Sequence, residues 1–307
     1  MVTLTQLKYI IAVHDEKHFG RAANSCNVSQ PSLSSQVQKV EEALGTILFD
    51  RSKKPVITTE EGEMFVRKAK TILAQIEDLE TSLLKTHEPN GIFKLGVIPT
   101  LAPYLVPLFL SSFSKKYPKV TLKVFEKTTK QIVDGLRDDS LDGGLLVTPL
   151  LEDQIIERVL FSERLYVYVS EGHELYKAES ISIKDLNQQE NFWILHEGHC
   201  LRDQILNLCS LNIKKTNIQF ESGSLETVKE LVRRGTGLTI VPELSIDKSR
   251  DKVIPFKNPE PVRQVSLVHA RAFLKESVLQ AIEDEVLLNL PKSVKNLKSG
   301  SVKIVPI

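Results

Sequence analysis

Apolar residues near the start of the chain recur at helical spacing. Leu33, Val37, Val40 and Leu44 are separated by four, three and four positions, so they line one stripe of a helix. Ser29 is placed to cap that helix, Pro31 falls in the first turn, where backbone donors are unpaired anyway, and Gly45 supplies a left-handed stop. A shorter helical stretch, 19–25, precedes it across the turn Cys26-Asn27-Val28. The exposed side of the second helix carries Gln30, Ser32, Ser34, Ser35 and Gln36. Short hydrogen-bonding groups of this kind let a helix approach the major groove, with its N-terminal N–H groups facing phosphate. A plain solvated face has the same composition; Arg51, Lys53 and Lys54 in a following wing-like segment tilt the reading toward DNA.

Farther along, Phe65, Ala69, Ile72, Ile76, Leu79 and Leu83 step by four, three, four, three and four, with Lys68, Lys70, Glu77, Asp78 and Glu80 outside the stripe. This heptad-like seam predicts a dimerising helix over 59–86, a rod of roughly 40 Å at about 1.5 Å per residue. A core helix of one large domain is the alternative. His87-Glu88-Pro89-Asn90-Gly91 breaks the helix and predicts a hinge at 88–91.

Beyond the hinge, strand-like runs at 92–98, 120–125 and 141–147 alternate with helical ones at 103–117 and 131–138. A second series covers 165–169, 192–195, 201–208, 218–220, 225–234 and 238–241. The alternation predicts two α/β lobes built on parallel sheet with helices on both faces. The lysine-rich tail 292–307 reads as a poorly ordered end without a task.

The 307 residues suggest two or three domains at roughly 150 residues each. With 41% hydrophobic and 26% charged residues, the composition is that of a globular protein. A net charge of +1 supplies no global attraction to nucleic acid, so DNA contact must be local. The apolar runs fall short of the roughly 18 residues a membrane helix needs, and no signal-peptide pattern opens the chain, so a cytoplasmic protein is expected.

Three cysteines occur: Cys26, Cys200 and Cys209. Cys200 precedes a helix-like run and stands between His199 and Arg202; a helix N-terminus and a nearby cation lower a thiol pKa, which predicts a thiolate able to attack peroxide. The resulting sulfenic acid is open to capture by a second thiol. Other readings stand beside this one. Cys209 suits a buried small hydrophobe. His196, His199, Cys200 and Cys209 offer zinc ligands at a spacing that matches no common structural pattern. A Cys200–His199 nucleophilic pair lacks an orienting third group.

Phe19-Gly20-Arg21-Ala22-Ala23, Val28-Ser29-Gln30-Pro31-Ser32-Leu33-Ser34 and Leu44-Gly45-x-x-Leu48-Phe49-x-Arg51, followed by Thr58-Thr59-Glu60-Glu61-Gly62, resemble the winged helix-turn-helix of the LysR family of bacterial transcription regulators. Gly198-His199-Cys200-Leu201-Arg202-Asp203-Gln204 with Cys209 resembles the redox centre of that family's peroxide-sensing members, and the likeness runs from residue 1 to about residue 290. The resemblance implies an α/β fold with an N-terminal winged helix-turn-helix, and a two-lobed periplasmic-binding-protein-like sensor domain joined to it by a long dimerisation helix. The boundaries are 1–58 for the DNA-binding domain, 59–87 for the linker helix, 92–163 with 268–291 for the first lobe, 164–267 for the second, and 292–307 for the tail.

It further implies that Cys200 reacts with peroxide and Cys209 resolves the product, with Thr100, Thr129 (or its neighbour Thr128), His199, Asp203 and Arg263 around the peroxide. If 201–208 is helical, the two cysteines lie about 13 Å apart on opposite faces, so a bond between them requires the helix to unwind. The DNA-reading set is Gln30, Pro31, Ser32, Ser34, Ser35, Gln36, Arg51, Lys53 and Lys54. Implied partners are double-stranded operator DNA, further copies of the chain in a homodimer or homotetramer, hydrogen peroxide as signal, RNA polymerase and a thiol reductant system. No membrane, metal, cofactor or enzymatic turnover is expected. A LysR regulator answering a small organic inducer in the interlobe cleft, and a thiol peroxidase, are the competing functions. Lys214, Lys215 and Gln219 stand where such sensors often carry acidic residues and a histidine, which bears on the stability of an oxidised form.

Overall fold

The structure, a computed structural model, describes residues 2–82, 88–187, 192–209, 223–235, 237–271, 273, 275–295 and 302–306. The chain divides into a unit Met1–His87 and a unit Glu88–Arg271 with Lys275–Ile307.

In the first unit, α1 (Leu4–Glu16) starts at a reciprocal cap between Thr3 and Gln6, and α2 (Phe19–Ser25) is capped by the His18 ring. α3 (Gln30–Leu44) begins at Ser29, whose hydroxyl accepts from Ser32 N, and ends at Gly45 in the left-handed region (φ 65°). Leu33, Val37 and Val40 enter a core with Ile10, Val13, Ala22, Ala23, Leu48, Phe49 and Val66. Leu44, expected on the same stripe, is 46% exposed, because it is the last helical residue and lies past the edge of that core. β1 (Phe49–Asp50) and β2 (Ile57–Thr58) pair antiparallel as a two-stranded wing.

α4 (Glu60–Ser82) follows and packs on α1. Here the expected seam is corrected. Ala69 is buried beside Val66, and Phe65 is packed against the same core, so the N-terminal end of the stripe is used within its own unit. The face turns outward only after α4 leaves α1: Ile72 is 43% exposed and Ile76 half-buried. The side chain of Leu79, and all of Leu83, lie outside the described residues, as does the expected end of the helix at 83–86.

The second unit opens with β3 (Gly91–Val97), α5 (Ala102–Lys116), β4 (Val120–Glu126), α6 (Thr129–Arg137) and β5 (Gly143–Thr148). β6 (Ile155–Val169) is one long strand, followed by α7 (Ile183–Leu186), α8 (Cys200–Leu208), α9 (Leu225–Arg233), β7 (Leu238–Pro242), β8 (Val253–Pro255), β9 (Glu260–Ala270) and α10 (Glu276–Asn289). The strand order is β4-β3-β5-β9-β6-β7, with β8 on β6. β3 is parallel to β4 and β5, whereas β5–β9, β9–β6, β6–β7 and β6–β8 are antiparallel. The expected parallel sheet is thus a mixed one. The chain leaves the first lobe along β6 and returns along β9, and two strands traversing the same gap in opposite senses pair antiparallel. The expected strand at 192–195 is reduced to one bridge between Phe192 and Leu238, and 218–220 lies outside the described residues.

The tail also departs from expectation. α11 (Lys292–Lys295) buries Val294, and β10 (Val302–Ile304) pairs in parallel with Glu260, Pro261 and Val262 of β9. Val305 is 2% exposed in the second lobe's core, and its carbonyl accepts from Gln204 Nε2 of α8 at 2.9 Å. Its lysines hid this, because alternate small apolar residues suffice for an edge strand once a neighbour supplies the ladder. Among the described residues no helix is long and apolar enough to cross a membrane.

Candidate functional site

Where β6 and β9 run between the lobes, Glu163 and Arg263 face each other in register, both fully buried. Glu163 Oε1 accepts from Arg263 Nε (2.8 Å) and stands 2.7 Å from Nη2 as an ion pair, and Oε2 accepts from Leu244 N (3.0 Å). Arg263 Nη1 donates to Thr100 Oγ1 at 3.0 Å and Nη2 to the Thr100 carbonyl at 3.1 Å. Thr100 belongs to the turn between β3 and α5 of the first lobe. Cys200, opposite, is the first residue of α8 in the second lobe, set there by Gly198 in the left-handed region (φ 88°) and by His199 at the cap position.

Cys200 is 4% exposed. Burial pushes its thiol above the ordinary range; Arg263 opposes this most strongly, and the hydroxyls of Thr129 and Thr100 also favour the thiolate. The expected resting thiolate is therefore corrected: desolvation outweighs the cation, whose charge is already shared with Glu163. The cation itself is also reassigned. Arg202 reaches instead to the Leu195 carbonyl at 2.9 Å. Thr128 caps α6 through Gln131, whereas Thr129 turns a buried hydroxyl, without a hydrogen bond of standard geometry, toward the Cys200 side.

The other expected site residues stand differently. The His199 ring meets His196, Nε2 to Nε2 at 3.2 Å, and burial followed by the neighbouring imidazole lowers its pKa. Asp203 is half-buried; burial raises its carboxyl, Arg202 lowers it and Glu197 raises it. Its charge adds a small upward push on Cys200. Cys209 caps the far end of α8, packed in the second lobe's core, and burial pushes its thiol up to about 12. Both cysteines are free thiols. Lys214, Lys215 and Gln219 lie outside the described residues.

Glu163 was missed by sequence reasoning. Its signal was present: Phe161, Glu163, Leu165 and Val167 alternate on the inward side of β6, and a carboxylate in that register needs a buried cation.

On α3, Gln30, Pro31, Ser32 and Ser35 are exposed, as are Lys53 and Lys54 in the wing. Three other expected contact residues have partners within their unit. Ser34 Oγ accepts from Arg51 Nη1 (3.1 Å), Arg51 Nη2 meets Glu41 Oε2 (2.6 Å), and its guanidinium lies 4.8 Å from the Phe19 ring centre. Gln36 Oε1 accepts from Gln6 Nε2 at 3.0 Å. Glu41 also accepts from the N–H groups of Leu48 and Phe49, so it clasps the wing to α3.

Comparison with known proteins matches residues 4–63 to the bacterial regulatory helix-turn-helix protein, lysR family, and residues 86–287 to the LysR substrate binding domain. The chain belongs to the LysR family. This LysR protein is 35% identical over 294 residues to the hydrogen peroxide-inducible genes activator of Haemophilus influenzae, covering 93% of this chain and 97% of that one. Among solved structures it resembles a cysteine-to-aspartate variant of full-length OxyR from Pseudomonas aeruginosa, with 33% identity, a TM-score of 0.74, and 94% and 99% of the two chains covered. It also resembles a cysteine-to-serine variant of Corynebacterium glutamicum OxyR with hydrogen peroxide bound, with 29% identity, a TM-score of 0.60, and 94% and 92% covered. The regulatory part of this LysR regulator has the two-lobed, periplasmic-binding-protein-like α/β fold, and the matched span includes both cysteines and Arg263.

Proposed function

We propose that this LysR regulator senses hydrogen peroxide through Cys200 and answers by altering its grip on operator DNA and the transcription of antioxidant genes. One observation carries the reading: a buried thiol at the start of α8 faces Arg263 and the hydroxyls of Thr100 and Thr129, with a second thiol at the far end of the same helix. The Cys200 sulfur, giving up its proton, attacks one peroxide oxygen. The O–O bond breaks, the leaving oxygen takes a proton to become water, and Cys200 is left as a sulfenic acid. Arg263 and the threonine hydroxyls stabilise negative charge on the departing oxygen. The Cys209 sulfur then attacks the sulfenic sulfur, forming a disulfide and releasing a second water. Two electrons pass from the two thiols to peroxide, and a thiol reductant returns them. Burial raises the Cys200 thiol above its ordinary range, so its reaction depends on peroxide held beside Arg263, which suits a sensor used once per signal rather than an enzyme.

The DNA-reading α3 and the outward face of α4 supply the output in a homodimer or homotetramer, which recruits RNA polymerase. Intact-protein mass spectrometry before and after about one equivalent of peroxide tests the reading. Wild type loses two hydrogens, Cys200→Ser is unchanged, and Cys209→Ser gains one oxygen. Wild type that stays fully reduced would overturn it.

A further inference from the structure

We infer that Glu163 is a positioning residue for the Cys200 reaction: it aims the Arg263 guanidinium and sets how much of its charge reaches the thiol. The inference rests on the reading of Cys200 as the reacting thiol.

A guanidinium has five N–H groups in a fixed plane. In Arg263 the Nε–H donates to Glu163 Oε1 and Nη2 lies 2.7 Å from that same oxygen, which fixes the plane's rotation. An Nη2–H goes to the Thr100 carbonyl and one Nη1–H to the Thr100 hydroxyl. The remaining Nη1–H has no acceptor among the described residues. Since Thr100 Oγ1 already accepts from Arg263, its own proton is left to donate elsewhere, and its hydroxyl favours the Cys200 thiolate. A chain of contacts thus runs from Glu163 through Arg263 and Thr100 to Cys200.

The carboxylate at the head of this chain is itself immobile. Its second oxygen is held by Leu244 N in the turn Glu243–Ser245, and its backbone lies opposite Arg263 in the β6–β9 ladder. Glu163 also carries the only negative charge in direct contact with Arg263 among the described residues. It therefore aims the cation and damps it at once.

Two substitutions separate these effects. Glu163→Gln removes the charge and, with one acceptor oxygen where the carboxylate has two, sets an amide N–H against either Arg263 or Leu244 N, so it disturbs both charge and aim. Glu163→Asp keeps the charge but withdraws it by about 1.5 Å. In the reduced full-length protein, the pH dependence of iodoacetamide alkylation at Cys200, followed on the peptide, reads the thiol's ionisation. The rate of Cys200 oxidation by hydrogen peroxide reads the aim.

In Glu163→Gln the alkylation midpoint moves below that of wild type, because Arg263 is no longer balanced, while peroxide oxidation slows by about 10²-fold because the guanidinium has lost its orientation. In Glu163→Asp the midpoint stays near wild type and oxidation still slows. On an Arg263→Ala background Glu163→Gln slows oxidation no further. Wild-type rates in both variants overturn the inference, as does a lowered melting temperature with an unmoved midpoint in Glu163→Gln, the mark of a merely structural pair. If Glu163→Gln does not fold, the oxidation rate of Glu163→Asp decides alone. Should wild-type Cys200 fail to react with peroxide, the proposed function falls, while the alkylation midpoint still tests Glu163.

Discussion

Joining Cys200 to Cys209 has to dismantle α8. The cysteines stand at its first residue and just past its last, so nine steps of about 1.5 Å put their Cα atoms roughly 13 Å apart along the axis and about half a turn apart around it. A disulfide holds its Cα atoms within roughly 4.4–6.8 Å, so the segment must shorten by about 7 Å, close to half its helical length. Helical bonds such as Cys209 N to the Ile205 carbonyl (2.9 Å) are lost. Leu208 and Cys209, both buried in the second lobe, move with them, and full exposure of a Leu-sized side chain costs about 1.5–3 kcal/mol. Gln204 lies mid-helix, so its bond to the Val305 carbonyl breaks as well, at about 1–3 kcal/mol for a buried acceptor left unpaired. Losses of several kcal/mol mean that oxidation refolds the segment and loosens the tail strand together. Hydrogen exchange by mass spectrometry, reduced against peroxide-treated, is expected to speed up at 203–209 and at 302–306. In Cys209→Ser both stay slow after the same treatment. A mapped Cys200–Cys209 disulfide with unchanged exchange in both segments would refute the reasoning.

Ser35→Glu, on the exposed face of α3, sets a charge against DNA phosphate and lowers operator affinity in a gel-shift titration at matched salt without changing the melting temperature. Equal affinity would remove this face from the DNA-reading surface. Leu33→Ala, by contrast, opens a cavity in the first unit's core and costs about 2–5 kcal/mol in denaturant unfolding. Ile76→Asp weakens self-association in sedimentation, because it puts a charge on the part of α4 that has left its own core; unchanged mass would mean that the face is covered within the chain. Burial holds His173, His199 and His269 below the ordinary imidazole value of 6.5. The unfolded chain takes up these protons first, so their contribution to stability is present above pH 6.5 and is lost as pH falls below it, which thermal melts of the reduced protein from pH 7.5 downward would follow.

Local patterns determined much of this protein. The Ser29 cap, Pro31, Gly45 and the Leu33-Val37-Val40 stripe specify α3, because capping and amphipathicity act over one or two turns and need no distant partner. The motif around Cys200 marked a helix start with a cysteine at its first residue in the same way, and it was legible together with the resemblance it carries. Tertiary structure decided where charge and burial fall. Whether Cys200 rests as thiol or thiolate depends on Arg263 and Thr100, more than sixty residues away on other strands and turns, and on how deeply the fold buries the thiol. The partner of Arg263 is set by the β6–β9 register, a long-range pairing that no local window contains. For the same reason the stripe on α4 divides between core and open face, and the tail reads as idle until β9 gives it an edge to pair with. Hydrophobic period tells which side of an element seeks cover, but the fold alone chooses what covers it.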